Sequence, residues 1–119
     1  MGRLWTVEVE REVRSWLERL SDRDFGRADF LVGLLAEQAD TLGEPYTRRL
    51  GGKVRELRFH LLARQPRITY WLAPGRRIIL LTVFRKTRSA EAAEVTRALQ
   101  AQRFAKPSTA PPTTPSTGR

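Results

Sequence analysis

The chain has no cysteine and a single histidine among its 119 residues. The first absence removes a disulfide framework and thiolate metal ligation, and it is compatible with a reducing interior. The second leaves zinc or iron to carboxylates, which lie mostly in the N-terminal third without ligand spacing. Neither a metal nor another cofactor is expected. A serine nucleophile with a histidine base is disfavoured as well, since no serine lies near His60 in the sequence. No run approaches the roughly 20 apolar residues of a membrane helix. The opening Met1-Gly2-Arg3-Leu4-Trp5-Thr6-Val7-Glu8 passes into charge without the apolar stretch of about 7 to 15 residues that marks a signal peptide. A soluble, cytoplasmic protein is expected.

Acid is also scarce where base is plentiful. Between Pro45 and Arg88 stand twelve basic residues and one acid, Glu56. Residues 1–44 hold six basic and ten acidic side chains, and residues 89–119 carry net +2, so the overall +9 originates in the middle third. Segregation of sign along a chain points to one surface that meets an anionic partner, and arginine-rich surfaces suit phosphate. The plain alternative is a solvated basic surface without a partner.

Periodicity predicts the order β, α, α, β, β, β, α. Trp5, Val7 and Val9 alternate with Thr6 and Glu8 as in a half-buried strand. Val13, Trp16, Leu17 and Leu20 then share one helical face. Ser21, three residues before Asp24, is placed to cap a second helix that carries Ala28, Leu31, Leu35 and Leu42 and ends near Gly43-Glu44-Pro45. Residues 53–60 and 67–73 alternate as strands, with Leu57, Phe59, Ile68, Tyr70 and Leu72 opposite Glu56, Arg58, His60, Arg67, Thr69 and Trp71. Pro74-Gly75 makes a turn into residues 78–84, apolar on both faces as in a covered central strand. Ser89 can cap a last helix from Ala90 to about Phe104. The expected architecture is α+β, a small antiparallel sheet with a helical hairpin on one face and arginines on the other. Residues 1–105 form the expected domain, and residues 106–119, rich in Pro, Ser and Thr, a disordered tail.

Few motifs carry chemistry. Leu50-Gly51-Gly52-Lys53 has the look of a phosphate loop but precedes a strand instead of a helix, and reads as a plain loop. Arg58 and Arg67 fall on the polar sides of neighbouring strands, so a hairpin through residues 61–66 would bring them together. Two guanidiniums at close range repel unless an anion lies between them, which makes the pair a candidate phosphate clamp. The alternatives are that each reaches water or pairs with Glu56. Lys86, beside Arg85 at the end of the apolar strand, is placed to join them. The ordinary pKa of a histidine lies near neutrality, which makes His60 a candidate proton-transfer group. Trp71 is a candidate base-stacking ring.

The runs Leu50 to Phe59, Arg67-Ile68-Thr69-Tyr70-Trp71 and Ile78 to Thr87 resemble the RelE/HigB toxins of the RelE/ParE superfamily, in particular the phage-derived Gp49-like branch. The resemblance spans roughly residues 4–105. It implies the toxin of a type II toxin–antitoxin pair, an endoribonuclease that cuts mRNA, commonly in the ribosomal A site, through attack of the RNA's own 2′-hydroxyl. Matched to the motifs, Arg58 and Arg67 would stabilise phosphoryl charge, and Lys86 would hold the phosphate or protonate the leaving oxygen. Lys53, Arg55, His60, Arg85 and Trp71 complete the expected RNA-binding set. Arg85 stands where the family often has a second lysine, and arginine cannot act as a base. That role would pass to Lys86, Lys53 or His60. The implied partner is a helix-turn-helix, HigA-like antitoxin, through which alone operator DNA would be met. Two rivals remain: a same-fold toxin acting on DNA gyrase, as the ParE toxins do, and a non-catalytic nucleic-acid-binding module.

Overall fold

Residues that alternate in polarity become strands here, and those with helical spacing close the two faces of the sheet they form. A computed structural model of the protein describes residues 4–59, 65–85 and 91–105. In chain order the elements are β1 (Thr6–Val9), α1 (Arg11–Glu18), α2 (Asp22–Glu37), β2 (Thr47–Gly51), β3 (Val54–Arg58), β4 (Pro66–Ala73), β5 (Arg77–Arg85) and α3 (Glu91–Phe104). They build a five-stranded sheet in the order β1-β5-β4-β3-β2. The α+β class and the helical hairpin are as the periodicity implies. Two details differ from the expectation.

First, β1 runs parallel to β5, whereas all other neighbours are antiparallel. A half-buried strand shows the same alternation in either direction, so polarity pattern alone does not specify orientation. A two-armed ion pair locks the mixed edge: Arg77 Nε and Nη2 donate to Glu8 Oε2 and Oε1 at 2.7 and 2.9 Å. Second, Thr47–Gly51 forms an extra strand, β2. Gly51 closes β2 opposite Val54, and Gly52 and Lys53 make the turn of a β2–β3 hairpin, so the segment is not a loop outside the sheet. Gly52 takes a positive φ of 54°, and a Cβ there would stand 3.2 Å from Leu99 Cδ2 of α3.

One face of the sheet carries the larger core. Leu57, Phe59, Ile68, Tyr70, Ile78 and Leu80 pack against Val13 of α1 and Ala28, Leu31 and Leu35 of α2, with Trp5, Val7 and Val9 alongside. The Ser21 hydroxyl caps α2 by accepting from Asp24 N at 3.1 Å. That helix ends at Glu37, earlier than the apolar spacing suggested. Leu42 still reaches the core, because the following turn is anchored by Thr47 Oγ1 donating to the Leu42 carbonyl at 2.6 Å.

The opposite face is divided. Val54, Trp71, Ala73, Ile79 and Leu81 form a smaller core beneath Ala98 of α3, flanked by Leu50 and Leu99. Beyond it the same face is polar. A bulge in β5 makes the transition: Thr69 pairs with Thr82 but Tyr70 with Leu80, which leaves Leu81 unopposed. Leu81 therefore joins the α3 core, and Thr82 N, displaced from a regular ladder, donates to Thr69 Oγ1 at 3.1 Å.

β1 ends before β5 does, so the backbone of Val83 would lack a partner on that edge. Glu12 and Arg97 supply it. Glu12 Oε2 accepts from Val83 N at 2.9 Å, Arg97 Nη2 donates to Val83 O at 3.3 Å, and Arg97 Nη1 donates to Glu12 Oε1 at 2.6 Å. Hydrogen bonding to Glu12 raises the Arg97 pKa against the opposing effect of burial. One ion pair thus ties α1 and α3, on opposite faces, to the same strand.

Glu12→Gln is expected to cost about 1 kcal/mol, since both charges are part exposed and the pair is screened. Combined with Arg97→Ala it should cost less than the sum of the single changes, which urea unfolding of the four forms would show. Gly52→Ala should cost about 1 to 2 kcal/mol by the same measurement, from the positive φ and the approach of Leu99.

Candidate functional site

On the polar half of the α3 face, β2, β3 and β4 each present one arginine around a single carboxylate. The registers set this arrangement. Arg48 stands opposite Glu56, and Arg58 stands opposite Arg67. Strand alternation puts Glu56 and Arg58 on the same face, two residues apart. Arg67 Nη1 donates to Glu56 Oε2 at 2.9 Å, while Arg58 Nε and Arg48 Nε lie 3.8 Å from that same oxygen.

Exposure rises outward through the cluster. The side chains of Glu56, Arg67, Arg58 and Arg48 are 3%, 6%, 17% and 37% exposed. Only the Arg67 pair is within hydrogen-bond reach. Among the described residues, the Nε atoms of both Arg58 and Arg67 are buried without a hydrogen-bond partner. A buried charged donor without an acceptor costs on the order of 1 to 3 kcal/mol or more. Three guanidiniums thus converge on one carboxylate oxygen. Behind it, Thr69 and Thr82, both buried, share a hydrogen bond of 2.7 Å between their hydroxyls. Such a site favours an anion with several acceptor oxygens.

The other expected site residues scatter. His60 and Lys86 lie outside the described residues, as do Ser89 and the segment 106–119. Arg85 is exposed at the end of β5, opposite Pro66 and thus at the same end of the sheet as Arg58 and Arg67. Lys53 is exposed in the β2–β3 turn, at the far end of β3 and roughly 16 Å along the strand from Arg58. Trp71 is 8% exposed and packed in the α3 core. A buried ring offers no face to a base, so the stacking expected of it is withdrawn. Arg55 also departs from expectation. It donates through Nε to the Tyr70 hydroxyl and through Nη2 to Thr47 Oγ1, each at 3.2 Å, on the helical-hairpin side of the sheet. It serves that core as a polar clasp, on the face of the sheet away from Arg58.

Sequence pattern alone does not single out Arg48, because it assigns no strand before Gly51-Gly52. Its signal is present in Thr47-Arg48-Arg49-Leu50 followed by Gly51-Gly52, a short run ending in a hairpin dipeptide. Among the described residues no group of three or more acidic or histidine side chains could hold a metal ion, and no helix is long and apolar enough to cross a membrane.

Burial pushes the Tyr70 phenol above its ordinary pKa, and the Arg55 hydrogen bond and charge offset part of this. The folded protein therefore holds that proton more tightly than the unfolded chain. The benefit is complete below about pH 10 and is lost as pH rises through the folded value. Tyr70→Phe should cost about 1 kcal/mol at neutral pH and flatten the fall in stability above about pH 10, as denaturant midpoints across the alkaline range would show.

The fold has parallels among known proteins. The free state of an E. coli RelE toxin mutant superposes with a TM-score of 0.60 at 13% identity, covering 82% of this chain and 97% of that one. The RelBE2 toxin–antitoxin complex from Mycobacterium tuberculosis gives 0.52 at 21% identity, covering 71% and 100%. The intact E. coli RelBE toxin–antitoxin complex gives 0.53 at 9% identity, covering 71% and 99%. No curated protein matches the sequence at a significant level. The sequence profile described as phage derived protein Gp49-like (DUF891) matches residues 15–104. The chain has the fold of the RelE toxins, and it belongs to the phage-derived Gp49-like family.

Proposed function

We propose that the protein is the toxin of a type II toxin–antitoxin pair and an endoribonuclease that cuts mRNA, in the manner of ribosome-dependent mRNA interferases. The observation that carries this reading is the arginine cluster, in which three guanidiniums converge on Glu56 and, among the described residues, the Nε atoms of Arg58 and Arg67 are buried without a hydrogen-bond partner. Family membership and the RelE fold support the toxin assignment. Two of the similar structures are toxin–antitoxin complexes, which supports an antitoxin as partner. For a Gp49-like chain we favour a helix-turn-helix antitoxin of HigA type.

In this reading the RNA's 2′-oxygen attacks the adjacent phosphorus, and the bond from phosphorus to O5′ breaks. The products are a 2′,3′-cyclic phosphate and a 5′-hydroxyl. The transition state gathers negative charge on the two non-bridging oxygens, and fixed cations in a site poor in water stabilise it most. Arg58, nearer the surface, contacts those oxygens. Arg67, held by Glu56 beneath it, contributes its charge from below. Lys86 holds the phosphate or protonates O5′, and the 2′-proton passes to a base, for which Lys86 or His60 is better placed in the sequence than Lys53 is in the fold. Arg85 adds charge at the same end of the sheet.

Induced expression of the wild type should arrest growth and create new, translation-dependent 5′ ends on a reporter transcript, read by primer extension. Arg58→Gln should lower cleavage about 100- to 1000-fold, as does loss of one preorganised oxyanion donor, with an unchanged circular dichroism spectrum. Arrest without cuts would favour a gyrase-type target. Absence of arrest would favour a non-catalytic binding module.

A further inference from the structure

Helix α2 packs Ala28, Leu31 and Leu35 into the core, and its opposite side carries a pattern that the fold of one chain does not explain. Along that side Arg23, Gly26, Phe30, Gly33 and Glu37 are all exposed. Phe30, near the middle of the helix, is 70% exposed. At about 100° per residue these positions share one stripe, and Arg23, Phe30 and Glu37 recur every seven residues, as along the seam of a helix pair. Asp22 and Asp29 fall at its rim, where their charge stays in water. Glycine inside a helix lowers its stability relative to alanine. A Cβ on Gly26 or on Gly33 would meet nothing within 4 Å, so no neighbour among the described residues requires either glycine. Bare backbone on both sides of an exposed ring lets a second helix approach closely.

We propose that this stripe is a homodimer contact, in which the α2 helices of two copies pack antiparallel about a two-fold axis through Phe30. Charge selects a second copy as the occupant. In that arrangement a residue before Phe30 stands level with the residue equally far after Phe30 in the other copy. Arg23, seven places before, therefore meets Glu37, seven places after, and the symmetry repeats the pair at the other end. A parallel pair would instead set Arg23 against Arg23 and Glu37 against Glu37. The two Phe30 rings meet at the axis, and the glycines leave room for each ring against the other copy's backbone. A helix of 16 residues spans about 24 Å. Contact along one such helix is at the small end for a specific interface, so the dimer is weak and reversible. Because α2 covers the face of the sheet opposite to α3, both arginine clusters face away from the contact. The contact does not depend on the nuclease reading.

Sedimentation velocity of the purified full chain at rising concentration tests the contact. The wild type should show a reversible monomer–dimer equilibrium. Phe30→Ser should weaken it about 30-fold or more, as expected of an aromatic at the centre of an interface. Arg23→Glu and Glu37→Arg should each weaken it about 10-fold, since each sets like charges together at both ends. The double form, Arg23→Glu with Glu37→Arg, should recover association, and so should an equal mixture of the two single forms. Gly33→Ala should raise the urea midpoint of the monomer yet weaken the dimer, opposite signs that a glycine kept for folding would not give. All substituted positions are exposed, so each variant should keep the wild-type circular dichroism spectrum. A chain that stays monomeric at every concentration overturns the proposal. Protection of the α2 amides from hydrogen exchange only in complex with a co-expressed antitoxin would then give the stripe to that partner. Dimerisation indifferent to Phe30→Ser and to both charge reversals overturns it as well, because the contact then lies elsewhere. Failure of the double form to recover association overturns the antiparallel pairing.

Discussion

The ion pair between Glu56 and Arg67 is the constraint on which the polar half of the sheet depends. Glu56 is the one acid in a stretch that carries twelve basic residues, and it is buried where β2, β3 and β4 run side by side. Burying Arg67 alone would be prohibitive, because a charge moved out of water without a partner loses its hydration. With Glu56 in the adjacent strand, Arg67 can lie beneath the surface and fix the direction of Arg58 above it. The cost of that burial fits a site more readily than a scaffold. Apolar side chains of similar volume would hold three strands together at least as well, and they do so on the other half of the same face under α3.

That division follows from how α3 is placed. The helix covers the end of the sheet near the β2–β3 turn, where a Cβ on Gly51 would stand 2.9 Å from Val95 and one on Gly52 3.2 Å from Leu99. Small residues in the turn let the helix come close enough to bury Val54, Trp71 and Ile79. The opposite end of β3 and β4 stays outside this apolar contact, and there the arginines stand. Glu12 and Arg97 hold α3 in this position by bridging it to α1 around the edge of β5. The extent of the polar surface is therefore set by contacts that are not part of it.

Much of this was legible in the sequence, and the exceptions have physical causes. Alternation separated Leu57, Phe59, Ile68 and Tyr70 from Glu56, Arg58, Arg67 and Thr69, and that sufficed to place Arg58 across from Arg67. Glu56, whose pairing with these arginines is the plain alternative to a bound anion, lies 2.9 Å from Arg67 and 3.8 Å from Arg58. Pattern could not reveal that a face polar at one end is apolar at the other, since Trp71 and Thr69 occupy equivalent positions in β4. Whether α3 reaches one or the other depends on helix length and loop closure. For the same reason Arg55 looked like its neighbours. Its odd position in β3 turns it to the helical hairpin, and only the Tyr70 hydroxyl and Thr47 across the strands make that burial tolerable.

The bulge at Leu81 joins the two halves into one device. A regular β5 would turn Thr82 away from the face on which Leu81 sits, and the apolar and polar halves would then be out of phase by one residue. The extra residue puts Leu81 under α3 and Thr82 against Thr69 in succession. The two hydroxyls satisfy each other and the displaced amide. A bulge at this position therefore fixes where the apolar core stops and the polar cluster starts.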